Sequence, residues 1–110
     1  MKVIGAPALE GLDGLGQLTT VGEHILLLRN PSLATVDGLA GVRRIERKLS
    51  IEDNVSLVDI RGLSTVQYVG ESLTVYGNES LCQSAVDALV SQARAANPGL
   101  EVETRGNDDC

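Results

Sequence analysis

Gly14-Leu15, Gly38-Leu39 and Gly62-Leu63 recur at intervals of 24 residues, and six further columns keep the same step without a gap. Those columns are Leu18, Val42, Val66; Val21, Ile45, Val69; Ile25, Leu49, Leu73; Leu27, Ile51, Val75; Asn30, Asn54, Asn78; and Leu33, Leu57, Leu81. A fixed period of this size marks an array of small units, none of which can bury its own apolar face without its neighbours. Run backwards, the period sets Val3 under Leu27, Pro7 under Pro31, Leu9 under Leu33 and Leu12 under Val36, so the chain opens on a half coil.

Within each unit the most regular stretch is apolar-x-apolar, as in Ile25-x-Leu27, Leu49-x-Ile51 and Leu73-x-Val75. That is the period of a strand with one buried face. One such strand per unit, stacked in parallel at about 4.8 Å, predicts a mainly β solenoid, a parallel β-helix with 24-residue coils. With no Phe or Trp among 110 residues, Leu, Val and Ile must fill its interior. The length is that of one domain. The expected division is a single domain over 1–110, with repeats over 1–84 and a helix-strand cap over 85–110.

The cap is read from a change of period. Ser84 followed three residues later by Asp87 has the form of a capping box. Val86, Leu89, Val90 and Ala93 then fall at helical spacing, and Asn97-Pro98-Gly99 ends the run. This predicts a C-terminal capping helix over 85–96. Leu100 to Thr104 alternates again and predicts a last strand beside Leu73 to Val75. The N-terminal half coil has no such cap and leaves a strand edge, through which Met1 to Ile4 could pair with another copy into a homo-oligomer.

The repeat G-L-x-x-L-x-x-V-G-x-x-L-x-[IL]-x-x-N-x-x-L-x-x-V resembles that of the receptor L-domain family, over residues 1–84. The segment from Asn78 through Cys82, the helix, and the ending Gly106 to Cys110 is similar to the terminal cap of the bacterial secreted or surface members. The resemblance implies a right-handed, leucine-rich-like β-helix that recognises a protein or cell-surface ligand and carries no catalytic residues and no cofactor. Ala6 departs from the pattern, standing where the half coil would hold its ladder asparagine.

The asparagine column at Asn30, Asn54 and Asn78 has a structural reading. A short amide at a corner satisfies turn N–H and C=O groups and can bond to its neighbours in the stack. Asn54-Val55-Ser56 and Asn78-Glu79-Ser80 also match the glycosylation acceptor pattern, but an inward ladder residue cannot carry a glycan as well. Cys82 and Cys110 form an even pair in a small Gly-rich domain and predict a disulfide and an oxidising compartment. Closing that loop would stabilise by roughly 3 to 4 kcal/mol in the chain-entropy model. With the family resemblance, this pair is the basis for expecting an extracellular or cell-surface location. Met1 to Leu12 lacks the apolar run of a signal peptide, so if the chain is exported, either Met1 is an artefact of expression or processing or the signal lies upstream.

Several functions are excluded or disfavoured. A formal charge of -6 argues against a general nucleic-acid binder. The longest apolar run, Ile25 to Leu28, is far short of the ~20 residues of a membrane span. Two Cys and one His do not make a zinc site, so no metal is expected. His24 has no nucleophile in its column, and Gly11 to Gly16 lacks the strand-then-helix setting of a phosphate loop.

What remains is a surface. The strand positions between the buried ones face outward: His24, Lys48, Ser72; Leu26, Ser50, Thr74; and Ile4, Leu28, Glu52, Tyr76. Ile4, Leu26 and Leu28 form an apolar patch there. The candidate binding face is therefore Ile4, His24, Leu26, Leu28, Lys48, Glu52 and Tyr76. Arg47 shares a column with Glu23 and Glu71, and Arg29 stands over Asp53, which explains both as charge ladders. Arg43 and Arg44 lack such partners and are candidate anion contacts. The expected function is non-catalytic recognition or adhesion through the outer face of the sheet, with self-assembly through the N-terminal edge as the alternative.

Overall fold

Wherever an aliphatic residue alternates with a variable one, the backbone extends and lays the aliphatic side chains on one side. The computed structural model describes residues 2–6, 9, 11 and 18–108. Along these the elements are β1 (Lys2–Ile4), β2 (Thr20–Val21), β3 (Ile25–Leu28), β4 (Arg44–Ile45), β5 (Lys48–Glu52), β6 (Tyr68–Val69), β7 (Ser72–Tyr76), α1 (Gln83–Ala96) and β8 (Glu101–Arg105). Short 3-10 turns at Asp37–Leu39 and Arg61–Leu63 carry the Gly-Leu pairs. The first pair, Gly14-Leu15, and the positions Met1, Pro7, Leu12 and Gly16 lie outside the described residues.

The strands form two parallel sheets, one of five strands in the order β1-β3-β5-β7-β8 and one of three in the order β2-β4-β6. Register between β3, β5 and β7 follows the 24-residue step, with Leu27 beside Ile51 and Ile51 beside Val75. Ile25, Leu27, Leu49, Ile51, Leu73 and Val75 are completely buried, as are Ile45 and Val69 on the second sheet. Leu33, Leu39, Leu57, Leu63 and Leu81, from the connections, close the space between the sheets. Truncating any of these leucines to alanine removes transfer energy and leaves a cavity, at a cost of roughly 2 to 5 kcal/mol.

Close approach between levels is possible because of glycine. A Cβ on Gly62 would come within 2.4 Å of the Val36 carbonyl oxygen, and one on Gly70 within 2.0 Å of that of Glu46. The helix buries Val86, Leu89 and Ala93 and packs along β6. Its last turn ends where Asn97 donates its N–H to the Ala93 carbonyl at 3.1 Å, just before Pro98.

Four expectations are corrected. The molecule is an α/β structure of two parallel sheets and one helix, with extents of 33 × 32 × 18 Å, and not a mainly β right-handed β-helix or solenoid. A strand period fixes which side chains point inward, and does not fix where a 14-residue helix is inserted between two strands of one sheet. The helix is accordingly not C-terminal, since β8 follows it and pairs with β7. Nor does it begin with a capping box at Ser84. Cys82 is the N-cap and makes no side-chain cap hydrogen bond, while the Asp87 carboxylate accepts from the Gln83 side chain at 2.9 Å inside the helix.

The third correction concerns the cysteines. Cys82 opens α1 and is not free, but Cys110 lies outside the described residues, so no pair between the two is described. The fourth follows from it: the cysteine pair no longer supports an extracellular or cell-surface location. Among the described residues no helix is long and apolar enough to cross a membrane.

Candidate recognition face

The corner after each strand of the larger sheet is what holds the face in place. Here Asn30, Asn54 and Asn78 are completely buried. Each sends its amide to the carbonyl of a strand one level back: Asn30 to Val3 at 2.9 Å, Asn54 to Leu27 at 2.8 Å and Asn78 to Ile51 at 2.8 Å. Each amide oxygen in turn accepts the backbone N–H of the previous level, from Ala6, Asn30 and Asn54, all at 3.0 Å. The series runs one step further than the sequence shows. Asn107 Oδ1 accepts the Asn78 N–H at 3.2 Å, and its amide reaches the Val75 carbonyl at 3.0 Å and Gln83 Oε1 at 3.3 Å. The one available signal is the Gly77-Asn78 and Gly106-Asn107 pair, hidden because α1 stretches the interval from 24 to 29 residues.

Immediately before these asparagines, and before Ala6 at the matching corner, the backbone turns through the left-handed region at Gly5, Arg29, Asp53, Gly77 and Gly106, with φ between 55° and 70°. Gly5, Arg29, Asp53 and Gly77 each donate an N–H at 2.9 Å to the last carbonyl of the neighbouring strand. For Arg29 and Asp53 this geometry is costly, because a Cβ crowds the backbone there. It also replaces the expected charge ladder: no ion pair joins Arg29 and Asp53 among those of the described residues. Arg47 does sit between Glu23 at 3.4 Å and Glu71 at 3.6 Å.

On the outer side of the five-stranded sheet, register brings Ile4, Leu28, Glu52 and Tyr76 into one row across four strands, and Arg105 extends it to a fifth. Arg105 lies 4.9 Å from the centre of the Tyr76 ring and 3.4 Å from Glu103. The adjacent row is Lys2, Leu26, Ser50, Thr74 and Glu103. Lys48, Ser72 and Glu101 form the third, with His24 just ahead of β3 and half-buried. Ile4 is 45% exposed, whereas Leu26, Leu28 and Tyr76 are half-buried by their neighbours and Ser50 is buried. Apolar and basic side chains thus stand over β1, β3 and the start of β5, hydroxyls and Glu52 in the middle, and Glu101, Glu103 and Arg105 on β8.

The other candidates lie elsewhere. Arg44 is on the second sheet, in β4, and Arg43 immediately precedes that strand, so both lie away from this face. Arg44 is occupied, held by the Glu46 carboxylate and stacked 4.1 Å from the Tyr68 ring centre. The Arg43 side chain is exposed, and its backbone N–H donates to Thr19 at 2.8 Å. Near α1, Arg61 donates to Asp59 at 2.8 Å, which holds the Asp59 carboxyl below its ordinary range and raises the guanidinium above its own. Among the described residues no group of three or more His, Cys, Asp or Glu could hold a metal ion.

Comparison with protein-family models, with curated proteins and with solved structures finds no match in any of the three. No family is assigned. The receptor L-domain likeness therefore rests on the repeat residues themselves.

Proposed function

We propose that the chain is a non-catalytic recognition module that binds a protein ligand through the outer face of its five-stranded sheet. One observation carries the reading: Ile4, Leu26, Leu28 and Tyr76 stand on the solvent side of a sheet whose opposite side is already filled. Aliphatic and aromatic side chains grouped in this way, beside Lys48 and Glu52, have the composition of an interface centre with a charged rim. The corner asparagines hold the backbone beneath them, so a ligand meets a surface that needs little ordering on binding. The resemblance of the repeat to that of receptor L-domains, which recognise proteins, supports the same reading.

The test compares ligands captured by the wild-type chain with those captured by Leu28→Asp, on the face, and Val58→Asp, on the connection after β5. Val58 is 58% exposed and serves as the control. A ligand retained by Val58→Asp and weakened at least tenfold by Leu28→Asp supports the reading. Equal retention by all three chains refutes it.

A further inference from the structure

We propose that the cleft over β7 and β8 on the recognition face is the pocket for a cationic side chain, lysine or arginine, of the protein ligand. The inference rests on the recognition reading above and names the chemistry of the partner. Pairing sets Ser72 beside Glu101 and Thr74 beside Glu103, and these four side chains, with Val102 between the two glutamates, line an open cleft of about 240 Å³. Hydroxyl and carboxylate oxygens surround it, and none of the described residues that line it is basic. Glu103 is shared with Arg105 at 3.4 Å, but Glu101 is exposed and makes no ion pair among the described residues. Lys48 stands in the same row as Glu101, two strands away on β5, and makes none either. A carboxylate flanked by hydroxyls suits an ammonium or guanidinium, whose N–H groups are all donors. The formal charge of -6 favours the approach of a cation.

A second observation comes from the same row and does not involve the carboxylates. Ser50 stands between Leu26 and Thr74 and is only 8% exposed, yet its hydroxyl has no hydrogen-bond partner among the described residues. Folded proteins seldom leave such a group unpaired. Leu49 and Ile51, on either side of it, are completely buried in the core, so the Ser50 side chain points outward into the row that ends at the cleft. A ligand backbone lying along this row supplies the missing partner.

Spacing agrees with an extended ligand segment. From Leu26 to the middle of the cleft is two and a half strand spacings, about 12 Å. An extended chain rises about 3.3 Å per residue and turns alternate side chains to the same side, so residues i and i+4 stand about 13 Å apart on one side. An aliphatic residue seated against Leu26 and Leu28 therefore places the side chain four residues along it in the cleft. The residue between them on that side lies over Ser50 and Thr74.

The experiment pans a display library of random decapeptides on the 110-residue chain and on its Glu101→Gln, Leu28→Asp and Val58→Asp variants, each checked for its fold by circular dichroism. Peptides enriched by the wild-type chain and by Val58→Asp are expected to carry Lys or Arg four residues from Leu, Ile or Val. Glu101→Gln is expected to lose the basic preference, keep the aliphatic one, and bind a synthetic copy of an enriched peptide at least fivefold more weakly. Aliphatic enrichment without a basic preference, or a basic preference that Glu101→Gln leaves unchanged, overturns the cleft assignment while the recognition reading stands. Enrichment of the same peptides by the wild-type chain and by Leu28→Asp overturns the recognition reading itself, and no enrichment by any form overturns both.

Discussion

The side-chain oxygen of Asn78 accepts two hydrogen bonds from Asn54, the backbone N–H at 3.0 Å and the amide at 3.3 Å. Both residues are wholly buried, so water cannot replace either bond. Asn54→Ala would strand the Leu27 carbonyl and the Asn30 N–H, which now use its amide and its oxygen. The expected loss is about 2 to 4 kcal/mol in chemical denaturation, the penalty for stranding two buried groups. Asn30→Ala is expected to cost less, because its partners Val3 and Ala6 are half-exposed.

Gly22 and Gly70 occupy the same position two repeats apart, yet a Cβ at Gly70 would lie 2.0 Å from the Glu46 carbonyl oxygen while one at Gly22 meets nothing within 4 Å. Gly70→Ala is expected to destabilise by about 1 to 3 kcal/mol, as overpacking does. Gly22→Ala should be neutral or slightly stabilising, since it only narrows the unfolded ensemble. Thermal melts of the two variants side by side make the comparison.

Arg29 holds φ at 56° where Gly5, Gly77 and Gly106 stand at the matching corners. Arg29→Gly relieves the left-handed backbone and is expected to stabilise by up to about 1 kcal/mol, after the extra entropy of the unfolded chain is deducted. Arg29→Ala keeps the Cβ and is expected to bring no such gain, so the difference between the two in urea unfolding isolates the backbone effect.

The strand positions and the asparagine corners were legible because both depend on contacts between equivalent residues 24 apart, as Leu27 with Ile51 and Asn30 with Asn54 show. The Glu23, Arg47 and Glu71 group was legible for the same reason. The edges were not. Gln92, Asn97 and Asn107 act across intervals of 26 to 32 residues fixed by the path of α1, and no period encodes them. Ser84 and Asp87 have the spacing of a capping box, but the helix starts earlier, with Cys82 at its N-cap, so Ser84 already lies inside its first turn. On the binding face the rows could be read as far as Tyr76. Arg105 and Glu103 could not be added, because the register of β8 is set by pairing across the helix insertion.

Gln92 links the helix to the turn beneath it by giving its amide to the carbonyls of Leu63 and Val66. Gln92→Leu keeps a helix-forming side chain of similar length and removes both bonds. The expected cost is about 1 to 2 kcal/mol in denaturant unfolding. Hydrogen exchange should also accelerate in the turn at Arg61–Leu63 before it does in β5 or β7.

Amide hydrogen exchange of the chain, free and bound to a protein ligand it captures, tests the recognition account most directly. Protection is expected to concentrate on β3, β5 and β7, around Leu26, Leu28, Glu52 and Tyr76, and to leave the α1 surface at Ala85 and Ala88 unchanged. Protection confined to α1 or to the connection carrying Val55 and Val58, with those strands unaffected, would contradict it.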